Sequence, residues 1–232
     1  MRRVVVTGAN RGLGLEFTRQ LLARGDRVYA GVRKPGHTHE LTRLALAHPG
    51  RVSVLPFDAT KPATAVELMR EIGLVDDAID VLINNAGVLH PGERYGAIEA
   101  KSLVDAFTIN VVGATMLTQA AAPMLERGTM PRVVNISSIL GSIGTRAAFG
   151  TPSYAISKAA LNMATRQLAF ELSARGIVAV AIHPGWVRTA MGGAQAELEP
   201  AVAVAAVLGV IDRLRGADAG RFLDWNGTEV PW

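Results

Sequence analysis

Short runs rich in Val, Ile and Ala alternate with longer stretches of helical period along the whole chain, and this alternation restricts the fold more than any other feature. The runs are Arg3 to Thr7, Arg27 to Val32, Val52 to Phe57, Asp80 to Asn84, Arg132 to Ser137, Val178 to His183 and Arg221 to Trp225. Most are apolar nearly throughout, as strands buried on both faces must be. Helical stretches fill the gaps: Leu13 to Ala23, His39 to Ala47, Ala63 to Ile72, Lys101 to Leu125, Tyr154 to Ala174 and Glu199 to Leu214. Strand, helix and strand in repetition imply a doubly wound α/β domain, a parallel sheet of about seven strands with helices on both faces. No linker or composition shift divides residues 1–232, so a single domain is expected. Gly25, Gly128 and Gly176 stand just past three helix ends, where a left-handed cap is wanted.

Composition narrows the chemistry. Cysteine is absent, which removes thiol nucleophiles, Cys-ligated zinc and iron–sulfur clusters; no metal site is expected. The net charge is only +4, and the cations fall singly rather than in the blocks that mark nucleic-acid or anionic-lipid surfaces. The longest apolar stretch, Ala201 to Ile211, falls short of the ~18 residues of a membrane span and fits a buried helix. With only Val4, Val5 and Val6 after the leading arginines there is no signal-peptide core, and a cytoplasmic location is expected.

Directly after the first strand comes Thr7-Gly8-Ala9-Asn10-Arg11-Gly12-Leu13-Gly14, opening the first helix. Glycines there let the backbone approach a pyrophosphate, and the helix amino terminus offers unpaired N–H groups and partial positive charge. The spacing Gly-x-x-x-Gly-x-Gly differs from the commonest dinucleotide fingerprint, and the same glycines would also serve a plain strand-to-helix turn. Position after strand one favours the dinucleotide, and with it a Rossmann-type sheet. The acid that usually grips the adenosine ribose is missing: the second strand ends Gly31-Val32-Arg33-Lys34. A carboxylate would repel a 2′-phosphate, whereas a guanidinium grips it with two charge-assisted hydrogen bonds. Arg33, helped by Arg11, therefore favours NADP(H) over NAD(H), unless Arg33 and Lys34 are ordinary loop cations.

The chain has three tyrosines, and Tyr154 is followed four residues later by Lys158 on one helical face. Chance supplies roughly 0.05 such pairs in a chain with these counts. A phenol of pKa ~10 needs ~4 kcal/mol to come down by about three units, and an ammonium at ~4 Å in an effective dielectric of ~20 supplies that much. Ser138, after the fifth strand, sits at the same rim and can hold a substrate oxygen or merely cap a turn. His183 precedes Pro184 at a strand end and reads as structural, because the acid/base role is already filled. Met116, Met124 and Met163 read as core.

Together, Thr7 to Gly14, Asn84-Asn85-Ala86-Gly87, Ser138, Tyr154-x-x-x-Lys158 and Pro184-Gly185 with Thr189 resemble the short-chain dehydrogenase/reductase family, in order and across essentially the whole chain. The segments Pro184 to Thr189 and Phe222 to Trp232 further resemble its C-factor/sniffer-like carbonyl reductase branch. The resemblance implies that Tyr154 donates the proton, Lys158 binds the nicotinamide ribose and lowers the tyrosine pKa, Ser138 positions the substrate oxygen and Asn110 supports the lysine through a relay water. It also implies that Gly8, Asn10, Arg11, Gly12, Leu13, Gly14 and Arg33 hold the phosphate side of the cofactor, and that Asp58 contacts the adenine. Asn85, Ala86 and Gly87 would line the cleft, with Asn84 bracing the central strand, and Pro184, Gly185, Val187 and Thr189 would lie on the nicotinamide side.

Leu140, Ile143 and Phe149, with Trp186, Met191 and the small residues from Gly192 to Ala196, suggest a mainly apolar pocket under a mobile lid. No cation in that set awaits a charged substrate, so a small neutral aldehyde or ketone is expected. The long helices from Lys101 and Tyr154 carry apolar residues around much of their girth, which fits a homodimer or homotetramer. A dinucleotide-binding signalling protein with little turnover is the alternative.

Overall fold

In the first strand, β1 (Arg3–Thr7), Val4 and Val6 enter one hydrophobic core and Val5 the other, so polar residues are left only at its two ends. The same division runs through β2 (Arg27–Val32), β3 (Val52–Pro56), β4 (Val81–Asn84), β5 (Arg132–Ile136), β6 (Val178–His183) and β7 (Phe222–Asp224). The computed structural model describes all residues, 1–232. Its strands form one seven-stranded sheet in the order β3-β2-β1-β4-β5-β6-β7, with every pair parallel.

One face is covered by α1 (Gly12–Ala23), α2 (His39–Ala47) and α7 (Pro200–Arg213), through Phe17, Leu21, Leu41, Val207 and Leu208. The other is covered by α3 (Ala63–Gly73), α5 (Gly113–Leu125) and α6 (Pro152–Ser173), through Leu68, Ile72, Leu117, Ala121, Leu125 and Leu172. The apolar stretch from Ala201 to Ile211 lies in α7 and buries one face, Ala203, Val204, Val207, Leu208, Val210 and Ile211, while Ala201, Val202 and Ala205 are exposed. The remaining helix, α4 (Ala100–Phe107), runs into α5 through a π-helical turn at Thr108–Val112. By length and hydropathy the 26 residues Ala100–Leu125 would suffice to cross a membrane, but here their second half, α5, packs on the sheet through Leu117, Ala121 and Leu125.

Two of the three expected glycine caps form: Gly25 and Gly176 have φ of +85° and +71°. Gly128 does not adopt a left-handed backbone. It is required by close approach instead, since a Cβ there would lie 2.0 Å from the carbonyl oxygen of Ile79.

The strand order reverses between β1 and β4, which opens a crevice beyond their carboxyl ends. A buried polar chain fixes the elements around it. Asn84 Nδ2 donates to Thr118 Oγ1 (3.0 Å) and Asn135 Oδ1 (2.8 Å), and Asn135 Nδ2 donates to Thr165 Oγ1 (2.8 Å). Asn84 thus braces the central strands, joining α5, β4, β5 and α6 in one rigid unit.

Candidate active site

The glycine turn is built against the loop after β4. Thr7 Oγ1 accepts from the backbone N–H groups of Asn85 and Ala86, each at 3.0 Å, and Asn85 Nδ2 donates to the carbonyl of Thr7 at 2.9 Å. Side chains at the glycines would break this fit. A Cβ on Gly8, whose φ is +64°, would lie 3.0 Å from Ala86 Cα, and one on Gly14 would lie 2.3 Å from the carbonyl oxygen of Gly8. Arg11 is the N-cap of α1 but supplies no side-chain cap, and the first turn holds no acid. The first N–H groups of α1 therefore face the crevice with nothing negative to answer them, a cradle suited to a phosphate group.

Arg11 and Arg33 stand at this rim, exposed and without an ion pair. Asp58 follows β3 on the same edge. Partial burial alone would raise its pKa, but hydrogen bonds from Thr60, with Lys61 and Arg33 nearby, hold it below the usual carboxylate range. Over the turn lies the segment after β6, where a Cβ on Gly12 would meet Thr189 Cγ2 at 3.6 Å. Gly185 has φ +84°, and a Cβ there would lie 2.4 Å from Leu198 Cδ1.

The Tyr154 and Lys158 side chains lie one helical turn apart on α6, and both are buried. The Lys158 ammonium donates to the carbonyl of Ile136 at 2.7 Å and sits 5.5 Å from the centre of the Tyr154 ring. Ser138, two residues past β5, stands beside the Tyr154 hydroxyl, and its Oγ accepts from the Leu140 N–H at 3.2 Å. The segment carrying Ser138 rests directly on α6, because a Cβ on Gly141 would lie 2.8 Å from Lys158 Cβ. Burial pushes the phenol up to about 12, opposed by the nearby Ser138 hydroxyl, and brings Lys158 down to about 8.

Asn110 lies in the π-helical turn and does not touch Lys158. Its Oδ1 accepts from Val88 N–H at 2.8 Å, and its Nδ2 donates to the Val88 carbonyl (3.0 Å) and Ser157 Oγ (2.8 Å). Both Asn110 Oδ1 and Lys158 Nζ face Gly87, within 3.2 and 3.7 Å of where its Cβ would stand. Ser157 in turn donates to the carbonyl of Tyr154 at 2.8 Å. Ser157 and the Ile136 carbonyl are parts of the site that residue types alone do not single out. His183 ends β6 with its Nδ1 buried and unpaired; burial lowers its pKa despite Asp224, so it is neutral.

The expected substrate wall is assembled only in part. Phe149 meets Tyr95, edge to face, with ring centres 6.2 Å apart, and Tyr95 had no signal in the sequence. Leu140 is half-buried beside Ser138, whereas Trp186 and Met191 are exposed on the segment after β6. Ile143 belongs elsewhere: it lines a groove with Ala159, Asn162, Met163, Arg166 and Trp232, a face of α6 turned away from Tyr154. The stretch Gly192 to Ala196 is not a loose lid. Trp186 Nε1 donates to the Gly192 carbonyl (2.8 Å), Gly193 N–H to that of Thr189 (2.9 Å) and Arg188 Nε to that of Ala196 (3.2 Å). Met124 is core, but Met163 is exposed, since α6 runs partly uncovered along the surface.

A family model described as short chain dehydrogenase matches residues 2–199. The C-signal protein of Myxococcus xanthus is 44% identical over 154 residues, covering 66% of this chain and 93% of that protein. Among solved structures, the carbonyl reductase Sniffer of D. melanogaster superposes with a TM-score of 0.95 at 32% identity over the full length of both chains. An NADPH-bound carbonyl reductase from chicken fatty liver gives a TM-score of 0.94 at 35% identity, over 100% of this chain and 99% of that one. With this sheet order, this crevice and a family match over most of its length, the chain belongs to the short-chain dehydrogenase/reductase family and resembles its carbonyl reductase branch.

Proposed function

We propose that this protein is a cytoplasmic, NADPH-dependent reductase of small neutral aldehydes or ketones. The observation that carries this reading is the buried Ser138, Tyr154 and Lys158 set at the rim of a glycine-lined crevice bordered by unpaired Arg11 and Arg33. The crevice suits an NADP(H) molecule: Gly8, Asn10, Gly12, Leu13 and Gly14 would cradle its pyrophosphate, Arg11 and Arg33 would hold its 2′-phosphate, and Asp58 would meet its adenine. Asn85, Ala86 and Gly87 line the cleft, and Pro184, Gly185, Val187 and Thr189 border the nicotinamide. The chemistry a reduced nicotinamide would supply there, when bound, is a hydride for the carbonyl carbon. Ser138 holds the substrate oxygen by hydrogen bond, and as negative charge develops on that oxygen the Tyr154 hydroxyl donates its proton, giving the alcohol. A phenol held at about 12 is fully protonated at neutral pH, the form a reductase needs. The Lys158 ammonium stabilises the tyrosinate left behind, and Asn110 keeps the support role for it that the family implies. Phe149, Leu140, Trp186 and Met191 border the substrate, with Tyr95 added and Ile143 removed.

The test is NADPH oxidation with a panel of aldehydes, ketones and quinones, run in parallel with NADH. NADPH is expected to be preferred, and Arg33→Ala to weaken NADPH binding by about tenfold with NADH binding unchanged, as loss of a charge-assisted contact predicts. Equal affinity of the wild type for both cofactors would remove the proposed preference. Lysine ionisation sets a pH limit: with Lys158 at about 8, turnover is expected to decline as pH rises through that value.

Val104 and Phe107 on α4 and Ile156, Met163 and Phe170 on α6 are exposed apolar residues on neighbouring helices. We propose that they pack against a second copy in a homodimer or homotetramer. Sedimentation at micromolar concentration is expected to show that species, and monomer alone would reject it. A second reading, an NADP(H)-binding signalling protein with little turnover, is favoured by the 44% identity to C-signal. Tight NADPH binding without turnover across the panel would select it.

A further inference from the structure

The helix that carries Tyr154 begins badly by its own means. Thr151, its N-cap, has φ 43° and ψ 54°, a left-handed backbone that a β-branched residue adopts only under constraint, and its side chain caps nothing. Pro152 follows, and the next free donor is the N–H of Ser153. That donor is satisfied from another part of the chain. Glu93, in the loop between β4 and α4, accepts with Oε2 from Ser153 N–H at 3.1 Å and from Ser153 Oγ at 2.8 Å. Ser153 is buried, with only 1% of its surface exposed, and directly precedes Tyr154.

The other carboxylate oxygen, Oε1, is buried without a partner. An unpaired buried carboxylate oxygen costs stability, so this is a poor device if its purpose is only to start a helix. Threonine is itself a capping residue type, but with the left-handed backbone at 151 its hydroxyl caps nothing, and the acceptor comes from Glu93 instead. What Glu93 adds is a connection. It ties the loop after β4 to the helix that carries the proton donor, and Tyr95, two residues on, meets Phe149 across the same junction.

We propose that Glu93 is a positioning residue for carbonyl reduction: through Ser153 it fixes the first turn of α6 and so the place of the Tyr154 hydroxyl relative to Ser138. This rests on the reductase reading above. Glu93 touches neither the phosphate cradle nor Lys158, so its effect falls on proton donation rather than on cofactor binding.

Steady-state reduction of 4-nitrobenzaldehyde by NADPH, with hydrogen exchange of the peptides spanning residues 150–157, tests this in the full-length protein. Glu93→Ala is expected to lower kcat roughly 10- to 100-fold, the scale of a misplacement near 1 Å. KM and the NADPH Kd are expected to stay within about threefold, and exchange at the start of α6 to rise. Glu93→Gln keeps an acceptor oxygen for Ser153 and is expected to recover kcat to within about fivefold of wild type. If Glu93→Ala does not fold, Ser153→Ala, which removes the hydroxyl bond alone, is expected to lower kcat by about three- to tenfold. Wild-type kcat in Glu93→Ala or, failing that variant, in Ser153→Ala overturns the proposal. So does a fall in Glu93→Ala that Glu93→Gln fails to rescue. Unchanged exchange at the start of α6 removes the clamp itself. A wild-type protein that reduces no carbonyl compound sinks the reductase reading and the positioning role with it, while faster exchange in Glu93→Ala would still identify the clamp.

Discussion

Tyr154→Phe is expected to lower kcat for carbonyl reduction by about 10³-fold, the middle of the range for loss of a positioned general acid. The ring of Tyr154 is buried and Phe preserves its packing, so the folded structure loses one hydroxyl beside Ser138. That exchange is expected to change stability by no more than about 1 kcal/mol. No neighbouring group can replace the proton. His183 stands at the end of β6, and burial keeps its imidazole neutral at the pH of the assay. Lys158 is committed to the Ile136 carbonyl. Stopped-flow measurement of NADPH oxidation, with cofactor affinity read separately by fluorescence, separates chemistry from binding. Undiminished turnover would remove the assigned mechanism.

Gly14→Val is expected to have the second large effect, on stability and cofactor binding together. The Cβ it introduces would lie 2.3 Å from the carbonyl oxygen of Gly8 and 2.6 Å from Asn85 Nδ2. Neither can move cheaply, because Asn85 Nδ2 is bonded to the Thr7 carbonyl and Gly8 N–H to the Gly31 carbonyl. Overpacking of this kind costs about 2–3 kcal/mol. In a chain of this size that lowers Tm by about 4–12 °C. The turn must open to relieve the clash, so the first N–H groups of α1 lose their aim and NADPH affinity is expected to fall more than about tenfold. Gly36→Val serves as the control, because nothing lies within 4 Å of the Cβ it would add. Calorimetry and fluorescence titration check both quantities, and a Gly14→Val protein matching the control would show that the turn does not need its glycine.

Strand positions were readable because each strand of a doubly covered sheet must be apolar on both faces. The expected runs differ from β1 to β7 by at most one residue at either end. The helices were readable for the same reason, with one exception. Lys101 to Leu125 reads as one continuous period, and the π-helical turn at Asn110 inside it leaves no trace in hydrophobic pattern, since it shifts one hydrogen-bond ring without changing which residues are apolar. Gly128 misled by type: a glycine after a helix serves equally as a left-handed cap or as space for another backbone, and only the position of Ile79 distinguishes them. Met163 and Ile143 misled by face, because the side of α6 that is covered depends on neighbours distant in the chain.

The sequence by itself determined the sheet, the crevice and the candidate set of Ser138, Tyr154 and Lys158. These depend on local rules: the two-residue period of strands, the space only glycine leaves at Gly8 and Gly14, and the four-residue spacing that sets Tyr154 above Lys158 on one helix face. Tertiary structure alone decided what holds those members and how they ionise. Asn110 reaches α6 through Ser157, Lys158 finds a carbonyl 22 residues away, and Glu93 grips Ser153 from 60 residues before it. Such contacts follow from elements packed side by side across the chain. The burial that pushes Tyr154 up to about 12 is likewise a property of everything packed around it, which no residue type or spacing contains.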